Sequence, residues 1–240
     1  MRLMSIAAAA LILSVTGSAV AQEWVEFASR EDRFTCNFPA PPQITQSTYK
    51  SEYGADLPAR VYSSAQGQSR FSMTVVDYAP IEGILTAKSK LCPKGAETCL
   101  GGQNTGAGYW KVDVQGALVY ASFQLIKRDA RVTHYMWNLM DLVEGHQLQL
   151  TNNADQSRTF ASIYMHESKL YIMEATVPKG YPEPGFFQQS LGWLDEEGHG
   201  IRYAQFYLHG GQKPPLAGQG NQGRIEAVGT PTGAQGGQGR

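Results

Sequence analysis

Apolar and polar residues alternate with period two over residues 24–78, interrupted by turn-forming residues, and this pattern predicts strands joined by short connections. Phe71, Met73 and Val75 fall on one face of such a strand, Ser72 and Thr74 on the other. Gln66-Gly67-Gln68 separates this run from residues 58–65, so the two are expected to form a hairpin. Residues 44–53 are polar but rich in Thr and Tyr, which reads as an edge strand.

The period then changes. Ile81, Ile84, Leu85 and Leu91 sit at helical spacing, and Val114, Ala117, Leu118, Ala121 and Leu125 repeat it more fully, so two helices are expected around a polar, glycine-rich connection. Alternation returns over residues 132–150 and 159–177. His166-Glu167-Ser168-Lys169 offers a turn that would let Ile163 and Met165 on one arm meet Tyr171, Met173 and Ala175 on the other. Beyond a breaker-rich stretch, Phe187, Leu191 and Leu194 mark a short helix ending at Gly198, and residues 201–208 read as a last strand. The order predicts a single α+β domain over residues 22–209, an antiparallel β-sheet with flanking helices. In residues 210–240 Gly, Gln and Pro dominate and no aromatic residue follows Tyr207; such a stretch buries too little apolar surface to offset its chain entropy and is expected to be a disordered tail.

Residues 1–21 have the layout of a secretory signal peptide: Arg2, an apolar run over 6–15, and Ala19-Val20-Ala21 before polar Gln22-Glu23. That apolar run is about half of the roughly 20 residues a spanning helix needs, and none comparable follows, so a periplasmic or secreted product with no membrane span is expected. The chain carries 20 basic against 21 acidic side chains, and loss of Arg2 with the leader makes it slightly more acidic. With no dense basic run, nucleic-acid binding through counterion release finds no support.

Oxidising surroundings raise the question of the three cysteines. Cys92 and Cys99 flank a six-residue polar loop and are expected to form a local disulfide. Cys36 shares a strand face with Phe34 and Phe38 and reads as a small buried apolar residue rather than a nucleophile.

No motif assigns catalytic, cofactor-binding or metal residues. Gly101 to Gly108 lacks the Lys-Ser/Thr ending of a P-loop and the spacing of a dinucleotide fingerprint. His134, His146, His166, His199 and His209 form no His-Glu-x-x-His pattern; His146 and His166 could meet only if their strands are neighbours. The Gly-x-Ser-x-Gly elbow is missing. Asp195-Glu196-Glu197 with Asn152, Asn153 and Asp155 departs from the spacing of a Ca²⁺ loop, and solvated turns explain both segments. Arg60, Arg70, Arg158 and Arg202 lie on or beside expected strands and would form an anion patch only if strand order gathers them; isolated surface arginines are the plainer reading. Tyr181, Phe186, Phe187 and Trp193 crowd the approach to the last helix, where Phe187 with Leu191 and Leu194 reads as core.

Phe34-Thr35-Cys36-Asn37-Phe38-Pro39, a strand running into proline, followed by hairpins and a late helix and strand, resembles the PsbP-like fold, an antiparallel sheet flanked by helices. Asn152-Asn153-Ala154-Asp155-Gln156-Ser157-Arg158, Val177-Pro178-Lys179-Gly180-Tyr181-Pro182 and Ser190-Leu191-Gly192-Trp193-Leu194-Asp195 are similar to stretches of uncharacterised exported proteins of rhizobia and other alphaproteobacteria. The first resemblance implies a domain that binds another macromolecule and rarely performs catalysis; the second brings no activity. The expectation is therefore a non-catalytic interaction or small-ligand-binding domain with an envelope protein or small ligand as partner and no cofactor. The alternative is an envelope hydrolase whose site assembles from residues distant in sequence.

Overall fold

A computed structural model describes residues 24–91 and 109–218. After β1 (Val25–Ser29) and β2 (Phe34–Phe38) come β3 (Gln43–Lys50), β4 (Asp56–Gln66) and β5 (Ser69–Asp77), then α1 (Ile81–Lys90) and α2 (Tyr109–Ile126). Four further long strands follow: β6 (Ala130–Met140), β7 (Val143–Asn152), β8 (Arg158–His166) and β9 (Lys169–Val177). The described chain is completed by α3 (Gly185–Gln188), β10 (Gly192–Leu194) and β11 (Gly200–Ile201).

The strands form two antiparallel sheets rather than the single sheet expected, and the chain is mainly β. The larger has the order β3-β4-β5-β9-β8-β7-β6, the smaller β1-β2-β10-β11. On one face of the large sheet, Ala117, Leu118, Ala121 and Leu125 of α2 and Ile81 and Leu85 of α1 pack over Ala161, Ile163, Leu170 and Ile172. On the other face the small sheet and α3 bring Phe34, Phe38, Phe187 and Trp193 against Phe71, Met73, Tyr164 and Tyr171. Burying apolar side chains on both faces makes β8 and β9 the centre of the molecule.

Tight turns fix the registers. Glu167 and Ser168 join β8 to β9 with φ of 46° and 63°, and Asp141 and Leu142 join β6 to β7 with 45° and 66°, the left-handed pair that matches hairpin twist. Gly67, at φ 58°, leads the β4–β5 turn. The Glu167-Ser168 turn corrects one expectation: it pairs Ile163 with Ile172 and Tyr164 with Tyr171. Ile163 and Met165 therefore face the helices, while Tyr171, Met173 and Ala175 face the small sheet.

The last helix and strand also differ from expectation. Phe187, Leu191 and Leu194 are buried, but the helix ends at Gln188; Ser190 Oγ accepts from Asn37 N at 2.8 Å, and the chain turns into β10, where Trp193 pairs with Phe34. Sheet pairing here overrides the helical spacing. Of the strand expected over 201–208 only Ile201 falls in β11; beyond it single bridges link Tyr203 with Leu216 and Val143 with Tyr207. Residues 210–218, placed in the tail by composition, lie against the domain: Lys213 pairs with Glu167, and Ala217 N donates to Arg202 O at 2.7 Å. Residues 1–21, Cys92, Cys99, the glycine run 101–108 and residues 219–240 lie outside the described residues.

Candidate ligand-binding groove

On the helix-covered face of β9 the order Leu170, Ile172, Glu174, Thr176 turns from apolar to polar in mid-strand, and the adjacent strands do the same. Val76, Thr74, Ser72 and Arg70 follow one another on β5, and Ala59, Val61, Ser63 and Ala65 on β4. Registers align these polar ends in two rows across the sheet: Ser63, Ser72 and Glu174, then Ala65, Arg70 and Thr176. Thr159 on β8 extends the second row, its Oγ1 2.8 Å from Thr176 Oγ1. The helices cover the apolar half of this face. Over the polar half lies a groove of about 630 Å³ whose rim includes Ala40, Pro41 and Gln43. A second concavity of about 570 Å³ adjoins it at the β4–β5 turn, lined by Asp155, Ser157 and Lys179. Ala65, Arg70 and Thr176 line both.

Charge in the groove is unevenly answered. Glu174 is held by both terminal nitrogens of Arg128, just past α2, with Nη2 at 3.0 Å from Oε1. Asp155 accepts from the Ser157 hydroxyl at 2.7 Å and its backbone N–H at 2.9 Å; these bonds, with a smaller contribution from Arg70, hold its carboxyl below the usual range. Among the described residues the exposed Arg70 guanidinium has no hydrogen bond or ion pair. The bed is therefore hydroxyl-rich, with its strongest donor free, an arrangement suited to a small anion with further polar groups.

Only Arg70 of the four arginines lines both concavities. Arg60 is bound bidentately to buried Asp32, with Nε at 2.6 Å from Oδ2. Arg158 donates to Tyr181 O and lies over the Phe160 ring at 5.1 Å. Arg202 offers its carbonyl to Ala217.

No family model and no curated protein sequence matches the chain. Among solved structures it is similar to the cyanobacterial PsbP protein CyanoP of Synechocystis sp. PCC 6803. The two share 14% identity over 70% of this chain and 87% of that one, with a TM-score of 0.34. At that level the groove must be read from its own residues.

The other candidates do not assemble into a reaction centre among the described residues. His146 and His166 lie on neighbouring strands but opposite faces: His146 Nδ1 is 2.8 Å from Ser122 Oγ on α2, while His166 Nε2 is 2.7 Å from Tyr203 Oη on the other side. The three-residue offset between His166 and Ile163, the partner of His146, puts them there. Ser122 next to His146 is no nucleophile, because its hydroxyl is buried and donates to Leu118 O at 2.8 Å. Asp195 accepts within its own turn from Glu197 and His199, and Glu196 pairs with Arg33 at 2.6 Å. Both lie near the start of β7, where Trp193 reaches Met140 O, whereas Asn152 ends β7. Cys36 is buried and free, and burial pushes its thiol up to about 12, as befits an inert packing residue. Phe187 and Trp193 are core, while Tyr181 and Phe186 are exposed.

Proposed function

We propose that this protein is an exported, non-catalytic binding domain whose groove at Arg70 takes a small anionic ligand bearing hydroxyl or amide groups. The observation that carries the reading is the Arg70 guanidinium, free of hydrogen bonds and ion pairs among the described residues and shared by two adjoining concavities in which Glu174 is already paired with Arg128 and Asp155 accepts from Ser157. A carboxylate or phosphate ligand would bond to Arg70 while its polar groups meet the hydroxyls of Ser63, Ser72 and Thr176. The leader-like residues 1–21 and the resemblances to PsbP-like and exported alphaproteobacterial proteins support a place outside the cytoplasm.

The test is calorimetric titration with a panel of sugar acids, hydroxy-dicarboxylates and sugar phosphates. At least one is expected to bind the wild-type chain and to lose about tenfold or more in affinity to Arg70→Ala, since a hydrogen bond to a charged group is worth roughly 1.5–3 kcal/mol. Binding that ignores Arg70→Ala, or a panel that leaves the wild type silent, would overturn the reading.

A further inference from the structure

The large sheet has two unlike edges. β3 is mostly polar, with Ile44 its one exposed large apolar side chain, and its Lys50 pairs with Asp56 across the hairpin at 2.9 Å. β6 is eleven residues long and exposes Tyr135, Met136 and Trp137, at 46%, 47% and 49%, on a strand whose only fixed charge is Arg131. A long apolar edge with outward-facing N–H and C=O groups is a template for another strand.

α2 points the same way. Its inner stripe packs into the core, yet Val112, Val119 and Phe123 form a second apolar stripe on the outer side, with Val119 and Phe123 61% and 51% exposed. A helix apolar on both sides belongs between two layers. Ser122 links this stripe to β6, because His146, bonded to Ser122, also meets the Tyr135 ring and hydroxyl. Tyr135 and Trp137 share the helix side of β6, opposite Leu148 and His146. Through Ser122 and His146 the apolar face of α2 is thus joined to the β6 edge, which pairs with no further strand among the described residues.

We propose that this surface docks a second copy of the chain, β6 against β6, about a two-fold axis at Met136. The chain's own remaining segments are poorly suited to cover it: residues 92–108 and 219–240 carry few large apolar side chains, and residues 1–21 read as a leader. Charge along the strand favours a copy placed antiparallel. Arg131 stands near one end of β6 and Asp141 just past the other, so antiparallel pairing brings the basic end of each copy to the acidic end of its mate. The same pairing sets Tyr135 opposite Trp137 of the second copy on the helix side. It merges the two large sheets into one and places the outer stripes of both α2 helices beside the new junction.

Sedimentation velocity of the chain beginning at Gln22 tests this. The wild type is expected to sediment as a dimer, and Met136→Lys, which sets two ammonium groups face to face at the axis, as a monomer with unchanged far-UV dichroism. An equimolar mixture of Met136→Lys and Met136→Glu is expected to restore the dimer, a rescue that only self-pairing at this residue produces. If Met136→Lys fails to fold, Tyr135→Lys carries the same test. A wild type that stays monomeric into the millimolar range, or a lysine variant that still dimerises, overturns the proposal.

Discussion

His166 and Tyr203, 37 positions apart, are joined by a 2.7 Å hydrogen bond between Nε2 and Oη that ties the last described segment to the end of β8. The imidazole is fully buried, lies 4.6 Å from the Trp193 ring centroid, and leaves Nδ1 without a partner among the described residues. Burial pushes its pKa down to about 4, against an opposing pull from Glu167 and with smaller help from Lys213 and Arg33. Below the ordinary histidine pKa the unfolded chain binds a proton that the folded chain refuses. Stability therefore falls as pH drops from about 6.5 to about 4, by on the order of 3 kcal/mol from this residue. Denaturant titrations across that window are expected to show the slope in the wild type and a flatter profile in His166→Phe.

Asp32 is the joint between the two sheets. Its buried carboxylate accepts from Arg60 and from Tyr62 Oη at 2.6 Å, with Lys169 at 3.6 Å, while its carbonyl accepts from Tyr171 Oη at 2.7 Å. Asp32→Ala leaves the largely buried Lys169 without its ion pair and Arg60 with only the exposed Glu31, and is expected to cost about 3 kcal/mol, measured as a fall in the urea midpoint. Asp32→Asn, which keeps the shape, is expected to cost less.

Asp113 presents the opposite case. Its Oδ2 accepts from Ser51 Oγ at 2.5 Å and Tyr53 N at 3.3 Å, but Oδ1 is buried without a partner among the described residues, and burial pushes the carboxyl's pKa up. A raised carboxyl pKa favours the folded state at low pH and loses that contribution as pH rises through the folded value. Asp113→Asn preserves both acceptor bonds through its carbonyl oxygen and removes the charge. It is expected to raise the melting temperature at pH 8, by an amount equivalent to about 1 kcal/mol, and to have a smaller effect at pH 4.

Gly145 is required by close approach. A Cβ there would lie 2.2 Å from Ile163 O and 2.3 Å from Tyr164 Cδ1, whose residue is its cross-strand partner. Both the strand and the ring must shift to admit a methyl group, so Gly145→Ala is expected to destabilise by about 1–3 kcal/mol in thermal unfolding.

Local patterns were legible where one element decides the outcome. Phe71, Met73 and Val75 share the face their alternation assigns, Ala117, Leu118, Ala121 and Leu125 are the buried stripe of α2, and Cys36 lies with Phe34 and Phe38 in the core. Pairings between distant segments were not legible. Arg70 stood among four equivalent arginines until β9 was known to lie beside β5, and His146 and His166 could be separated only by the register of β7 against β8, which sets His146 opposite Ile163. The groove did leave a trace, the mid-strand change from Ile172 to Glu174 on one face, but its meaning depends on neighbours making the same change. β10 was hidden because Phe187, Leu191 and Leu194 are buried as a helix would bury them, and only contact with β2 makes part of that stretch a strand.

The small sheet joins β1 and β2, near the beginning of the described chain, to β10 and β11, near its end. A chain that emerges from the ribosome or a translocation pore amino end first can pair β1 with β2 early, but Phe34 and Tyr171 must wait for Trp193 to close over them. The helix-side core can form first. Most of the molecule's buried aromatic side chains therefore stay open to solvent or to a holding chaperone until almost the whole domain has emerged, and completion of the chain becomes the step that seals them.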